Sequence, residues 1–235
     1  MKFLGIIPAR SGSKRLPNKN LMLCNRKPLI GWTCEAAKES ASIDLCIVST
    51  DSLEIMETAN SFGIASPFIR PEELSNDEAT SLSVVKHALD WADEHCDANK
   101  QPRFDAVILL QPTSPLRTGD DIRRARIAMQ TSNANTVVSV VKAPKNFSAS
   151  KMMTINPNTD SLTPLQHEDI VGDLYLRDGP SILISDRETI NAGKLYGRKV
   201  APCVLDWESF VDIDVLDELR EAERRLQRRH HKQSN

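Results

Sequence analysis

Short apolar runs alternate along the chain with longer segments whose apolar positions recur every three or four residues. Residues 3–7 are a nearly continuous apolar run ended by Pro8, the pattern of a strand buried on both faces. Residues 28–40 read as a helix, with Leu29, Trp32, Thr33 and Ala36 on one stripe. Residues 45–49 predict a second strand, closed by Thr50 and Asp51, either of which can cap a helix running to residue 60. A third helix is predicted over 80–94, a strand over 104–110, a helix over 120–130 and a β-branched strand over 136–141. The stretch 143–175 breaks this rhythm with Pro144, Pro157 and Pro164 and reads as an excursion from the core, a candidate dimerisation arm. Regular structure resumes at 181–185, and an amphipathic helix is predicted over 215–229, running into a basic, solvated tail over 228–232.

Strand–helix alternation of this kind predicts an α/β fold with a mostly parallel sheet covered by helices on both faces. A chain of 235 residues suits one domain over 1–235, and 40% hydrophobic with 26% charged residues excludes a disordered chain. With 30 Lys and Arg against 32 Asp and Glu the net charge is −2, so nothing favours a dedicated nucleic-acid or membrane-surface binder. The N-terminal apolar stretch is too short for a signal peptide or anchor, and no run of about 18 apolar residues occurs elsewhere. Five scattered cysteines, odd in number and with no C-x-x-C pair, read as reduced and buried, which points to the cytoplasm.

Ligands of open α/β sheets bind beyond the carboxyl ends of the strands, so the loops there come first. Residues 8–20 pack Arg10, Lys14, Arg15 and Lys19 with Ser11, Ser13, Gly12, Asn18 and Asn20 directly after the first strand. Cations beside backbone N–H groups at a flexible glycine make a polyphosphate receptor, without the glycine spacing of a Walker loop. The bland alternative is a solvated basic loop. Residues 110–117, Leu-Gln-Pro-Thr-Ser-Pro-Leu-Arg, hold a polar triplet between two prolines, either a substrate shelf or a capped turn. In 210–214, Phe-Val-Asp-Ile-Asp, the carboxylates Asp212 and Asp214 share one side of an extended segment. They are either a Mg²⁺ pair or a capping doublet for the last helix. Together these parts suit a transferase acting on a nucleotide's phosphates.

The run 6–20, Ile-Ile-Pro-Ala-Arg-Ser-Gly-Ser-Lys-Arg-Leu-Pro-Asn-Lys-Asn, resembles the N-terminal signature of the acylneuraminate cytidylyltransferases. Segments 48–51, 70–74, 111–117 and 211–214 resemble that family in order and spacing, over residues 1 to about 225. The resemblance implies a three-layer, Rossmann-like nucleotidyltransferase fold, usually dimeric, that joins CTP to a 2-keto-3-deoxy sugar acid with release of pyrophosphate. By similarity, Arg10, Ser13, Lys14 and Asn20 would hold the CTP phosphates and ribose, with Arg10 and Lys14 acting in catalysis alongside the acidic pair. Ser81, with the backbone near Arg70 and Ala79, would read cytosine. Gln111 would contact the sugar, Lys151 and Arg177 are cations available to its carboxylate, and Asp212 and Asp214 would hold Mg²⁺. Where sialic acid members commonly carry an Arg-Gln pair in the arm, this chain reads Leu165-Gln166-His167-Glu168. Where they carry Asn-Gly-Ala-(Ile/Val)-Tyr, it reads Leu176-Arg177-Asp178-Gly179-Pro180-Ser181-Ile182. Sialic, legionaminic and pseudaminic acids therefore all stay open, as do 3-deoxy-manno-octulosonate and a non-catalytic nucleotide-binding relative. His87, His95 and the three tryptophans read as packing or surface residues, and His167 as the histidine nearest the sugar pocket.

Overall fold

In the computed structural model β1 spans Phe3–Pro8, and its side chains explain the unbroken apolar run. Phe3 and Ile7 enter one core and Leu4 and Ile6 the core on the opposite face, all fully buried. β5 (Ala106–Leu110) repeats this parity, with Ala106, Ile108 and Leu110 on the first face and Val107 and Leu109 on the second. The structure describes residues 1–144, 147, 151–156, 158–164, 173–177 and 179–233.

The remaining elements, in chain order, begin with β2 (Leu23–Cys24), β3 (Lys27–Pro28), α1 (Leu29–Ser40), β4 (Leu45–Ser49), α2 (Leu53–Ser61) and α3 (Ser81–Ala98). After β5 come α4 (Gly119–Thr131), β6 (Thr136–Lys142), β7 (Met153–Asn156), β8 (Ser161–Pro164) and β9 (Tyr175–Leu176). The chain closes with β10 (Ile182–Asp186), α5 (Arg187–Asn191), β11 (Val200–Leu205) and α6 (Leu216–Gln233). The central sheet runs in the order β11-β6-β10-β5-β1-β4, with β9 added to β6. Pairs β1–β4, β1–β5 and β6–β11 are parallel, whereas β10 is antiparallel to both neighbours. This is the mostly parallel α/β sheet that the alternation predicts.

The cap of α2 is a correction: it is Ser52, whose hydroxyl accepts from Ile55 N, and not Thr50 or Asp51. Thr50 instead accepts from Ser52 N, and Asp51 turns back to the first loop. The sequence pattern does not predict β11, because Pro202 interrupts it and only Cys203 and Leu205 are buried; as the sheet edge, it tolerates the missing donor. The predicted arm contains the antiparallel hairpin β7–β8, which carries Met153, Ile155 and Leu162 in the open. The arm residues Leu165, Gln166, His167 and Glu168, and Asp178, lie outside the described residues. The tail is not wholly solvated: Arg229 Nη1 donates to Leu116 O at 2.5 Å and Nη2 to Ser209 Oγ at 2.8 Å.

All five cysteines are free and only Cys46 is not fully buried. Burial pushes the thiols of Cys24 and Cys34 up to about 12 and that of Cys203 to about 11. Among the described residues no helix is long and apolar enough to cross a membrane.

Candidate active site

The three chemically unusual loops converge because each contributes apolar anchors to one small core. Leu16 comes from the loop after β1, Leu116 from the loop after β5, and Val211 and Ile213 from the acidic segment. Leu219, Ala222 and Leu226 of α6 close this core from outside. The backbone adds a direct tie, with Ile213 N donating to Thr113 O at 2.9 Å. Because Val211 and Ile213 point inward, Asp212 and Asp214 are left partly exposed on the other side.

Loop 8–20 is fixed at several points. Asp51 accepts from Ser11 N at 2.8 Å and Ser11 Oγ at 2.7 Å, so the end of β4 holds the first turn after β1. Asn20 is buried, and its Nδ2 donates to Arg10 O at 2.9 Å. Asn18 takes a left-handed φ of 53°, a conformation its short polar side chain tolerates. Lys19 Nζ reaches across to Ile213 O at 2.9 Å and Asp214 Oδ1 at 2.8 Å, while Arg15 pairs with Asp214 Oδ2 at 2.8 Å. The Lys19 hydrogen bond holds the Asp214 carboxyl below its ordinary range. Opposite, Asp77 receives Arg10 at 2.8 Å and lies 2.5 Å from Lys14. Hydrogen bonds from Lys14 and then Arg10 hold its carboxyl low as well.

Arg10, Ser13, Lys14 and Asn20, the predicted phosphate residues, thus line one cleft of about 300 Å³ with Arg15, Lys19, Asp77 and Asp214. Arg70 is buried, with N donating to Thr50 O at 2.7 Å and Nε to Ser75 Oγ at 3.2 Å, and its buried Nη2 has no partner among the described residues. Burial, opposed by Asp51, pulls its guanidinium below the usual value. Ala79 N is already donated to Asn76 Oδ1 at 2.9 Å, and Ser81 is exposed at the first turn of α3. Gln111 is half-buried at the end of β5, where its carbonyl accepts from Arg117 Nη1 at 3.1 Å. Arg117 itself is structural, bonding Ser181 O at 2.7 Å and Thr33 Oγ1 at 2.7 Å. Arg177 Nη1 donates to Tyr196 OH at 2.6 Å, and Lys151 is exposed beside the β7–β8 hairpin; no contact joins either to the cleft among the described residues.

Asp212 is half-buried and makes no ion pair or hydrogen bond among the described residues. It lies against Gly179, where an added Cβ would stand 2.6 Å from Asp212 Oδ2 and push that carboxylate aside. Among the described residues no three His, Cys, Asp or Glu side chains gather as a metal cage. Asp212 offers a carboxylate open to a cation, while both oxygens of Asp214 are engaged by Lys19 and Arg15, so a Mg²⁺ here would be completed chiefly by phosphate oxygens and would have to draw Asp214 from its cations.

Sequence reasoning missed Asp51 and Asp77. Asp51 follows the strand that pairs with β1 in a parallel sheet, a signal that was present but read as a cap. Asp77 is 67 residues from Arg10, and no local pattern joins them.

Residues 4–182 match a family model described as cytidylyltransferase. The chain is 34% identical over 222 residues to a CMP-N,N'-diacetyllegionaminic acid synthase of Legionella pneumophila, covering 91% of each. It is 34% identical over 222 residues to an N-acylneuraminate cytidylyltransferase of Escherichia coli, covering 91% of this chain and 49% of that one. A solved CMP:2-keto-3-deoxy-manno-octonic acid synthetase complexed with CTP shares the fold, with a TM-score of 0.71 at 17% identity, covering 97% of this chain and 100% of that one.

Proposed function

This chain belongs to the cytidylyltransferase family, and from that premise we propose that it joins CTP to a nonulosonic sugar acid, giving the CMP-sugar and pyrophosphate. The observation that carries the reading is the cleft in which the 8–20 loop meets the 210–214 segment, with Arg10, Lys14 and Asp77 paired at one place and Arg15, Lys19 and Asp214 at another. Relatives of this chain named for legionaminic and N-acylneuraminic acids support the class of sugar.

In this reading Arg10, Ser13, Lys14 and Asn20 bind the phosphates and ribose, and Ser81, with the backbone near Arg70 and Ala79, meets cytosine. Gln111 contacts the sugar, with Lys151 and Arg177 available to its carboxylate. The sugar's anomeric oxygen forms a bond to the α-phosphorus as the bond to the β-phosphate oxygen breaks. Asp212, which makes no ion pair among the described residues, is the carboxylate placed to take the hydroxyl proton. Arg10 and Lys14 stabilise the departing pyrophosphate. Asp212 and Asp214 would hold Mg²⁺, which when bound neutralises phosphate charge. Catalysis is then chiefly positioning and charge stabilisation.

Residues 1–235 act as one cytoplasmic domain, and the exposed Met153, Ile155 and Leu162 of the hairpin support docking of a second copy. Sedimentation showing a monomer at micromolar concentration would remove the dimer. The activity is tested by mass spectrometry of reactions holding CTP, Mg²⁺ and sialic, legionaminic, pseudaminic or 3-deoxy-manno-octulosonic acid. A CMP adduct of one nine-carbon acid is expected; an adduct of the octulosonic acid alone, or none, contradicts the reading.

A further inference from the structure

Asp77 is an anion placed where an anion is to be bound. Its Oδ1 accepts from Arg10 Nη2 at 2.8 Å and its Oδ2 lies 2.5 Å from Lys14 Nζ, so each oxygen serves one cation. Two terminal oxygens of a phosphate offer the same pairing. Asp77 lines the cleft with these cations and borders the adjoining hollow formed by Gly12, Ser13, Ser75 and Asn76. The pairs are open to water: the side chains of Lys14 and Asp77 are 80% and 45% exposed. Ion pairs this exposed are weak and exchange readily for a stronger anion.

The segment carrying Asp77 is also tied to its surroundings. Asn76 Oδ1 accepts from Glu78 N at 3.0 Å and Ala79 N at 2.9 Å, closing a turn around Asp77 that leads into the Thr80 cap of α3. Ser75, just before it, receives Arg70 Nε. The carboxylate is thereby presented to Arg10 and Lys14 by a short braced turn rather than by a free loop tip.

We propose that Asp77 is the internal counter-ion of the triphosphate site, holding Arg10 and Lys14 converged and yielding them to the phosphates of the arriving nucleotide. This rests on the reading of the 8–20 loop as the phosphate site. Without Asp77 the two cations repel each other and spread; with it they are set in advance, and every incoming phosphate must displace a carboxylate. The same competition acts on pyrophosphate after the reaction, since an anion ready to reclaim both cations shortens product retention.

The test is calorimetric titration of the full chain with inorganic tripolyphosphate at fixed ionic strength. Asp77→Asn keeps the shape and removes the charge, and is expected to bind about three- to tenfold more tightly than the unaltered chain. Asp77→Glu keeps the charge and is expected to stay within about twofold. A merely structural role would not tighten binding. Equal or weaker binding by Asp77→Asn overturns the proposal, as does an equal gain in Asp77→Glu, which would assign the effect to loop shape. Tripolyphosphate binding by none of the three proteins would remove the phosphate site itself, and its counter-ion with it.

Discussion

Arg10 shows how a single side chain is both legible and incomplete in the sequence. Its place beside Gly12 and Lys14 after a buried strand marks it for phosphate, and the cleft that it lines agrees. What holds it there, Asp77 at 2.8 Å, comes from a turn 67 residues away and leaves no local trace. The same holds for Ser11, fixed by Asp51 from the neighbouring strand. Short-range chemistry is readable because spacing encodes it; counter-ions supplied by distant loops are not, because only the sheet order brings them near. If Arg10 receives phosphate, Arg10→Ala should reduce kcat/KM for CTP by about 2–4 kcal/mol, the loss of a charged donor to a charged acceptor. Steady-state kinetics in CTP checks this, and unchanged values would take Arg10 out of the site.

Helix α6 does for the elements what Arg10 does for its neighbours. The amphipathic pattern over 215–229 predicts a helix, but not that its apolar stripe of Leu219, Ala222 and Leu226 has a particular surface to cover. It covers the joint of three loops, so its packing sets their spacing. Leu226→Ala should cost about 2–4 kcal/mol in urea unfolding, as buried leucine truncations do, and should also raise KM for CTP. Lost stability with an unchanged KM would mean that the loops keep their spacing without the helix. Other elements stayed hidden for definite reasons. β11 carries Pro202 and buries few side chains because it is an edge. The antiparallel sense of β10 follows from the excursion that precedes it, whose mixed polarity gives no periodic signal.

At the scale of the molecule, that reversed strand completes the site. β10 starts where its antiparallel neighbour β5 ends, Ile182 opposite Leu110, and so brings Gly179 against Asp212 and Ser181 to Arg117, beside Gln111. With a net charge of only −2, the cations that matter are concentrated in the single 8–20 loop rather than in the overall composition, and folding supplies their acidic partners. Asp212 is then the decisive carboxylate: partly exposed, unpaired among the described residues, set against Gly179 and two residues from Asp214, which lines the cleft. The most direct measurement is pyrophosphate release at saturating CTP and Mg²⁺, with the accepted sugar acid, for the unaltered chain and for Asp212→Ala side by side. Turnover in Asp212→Ala should be lower by about 10²–10³-fold with the melting temperature retained. A near-normal kcat in Asp212→Ala would contradict it and place the chemistry away from this segment.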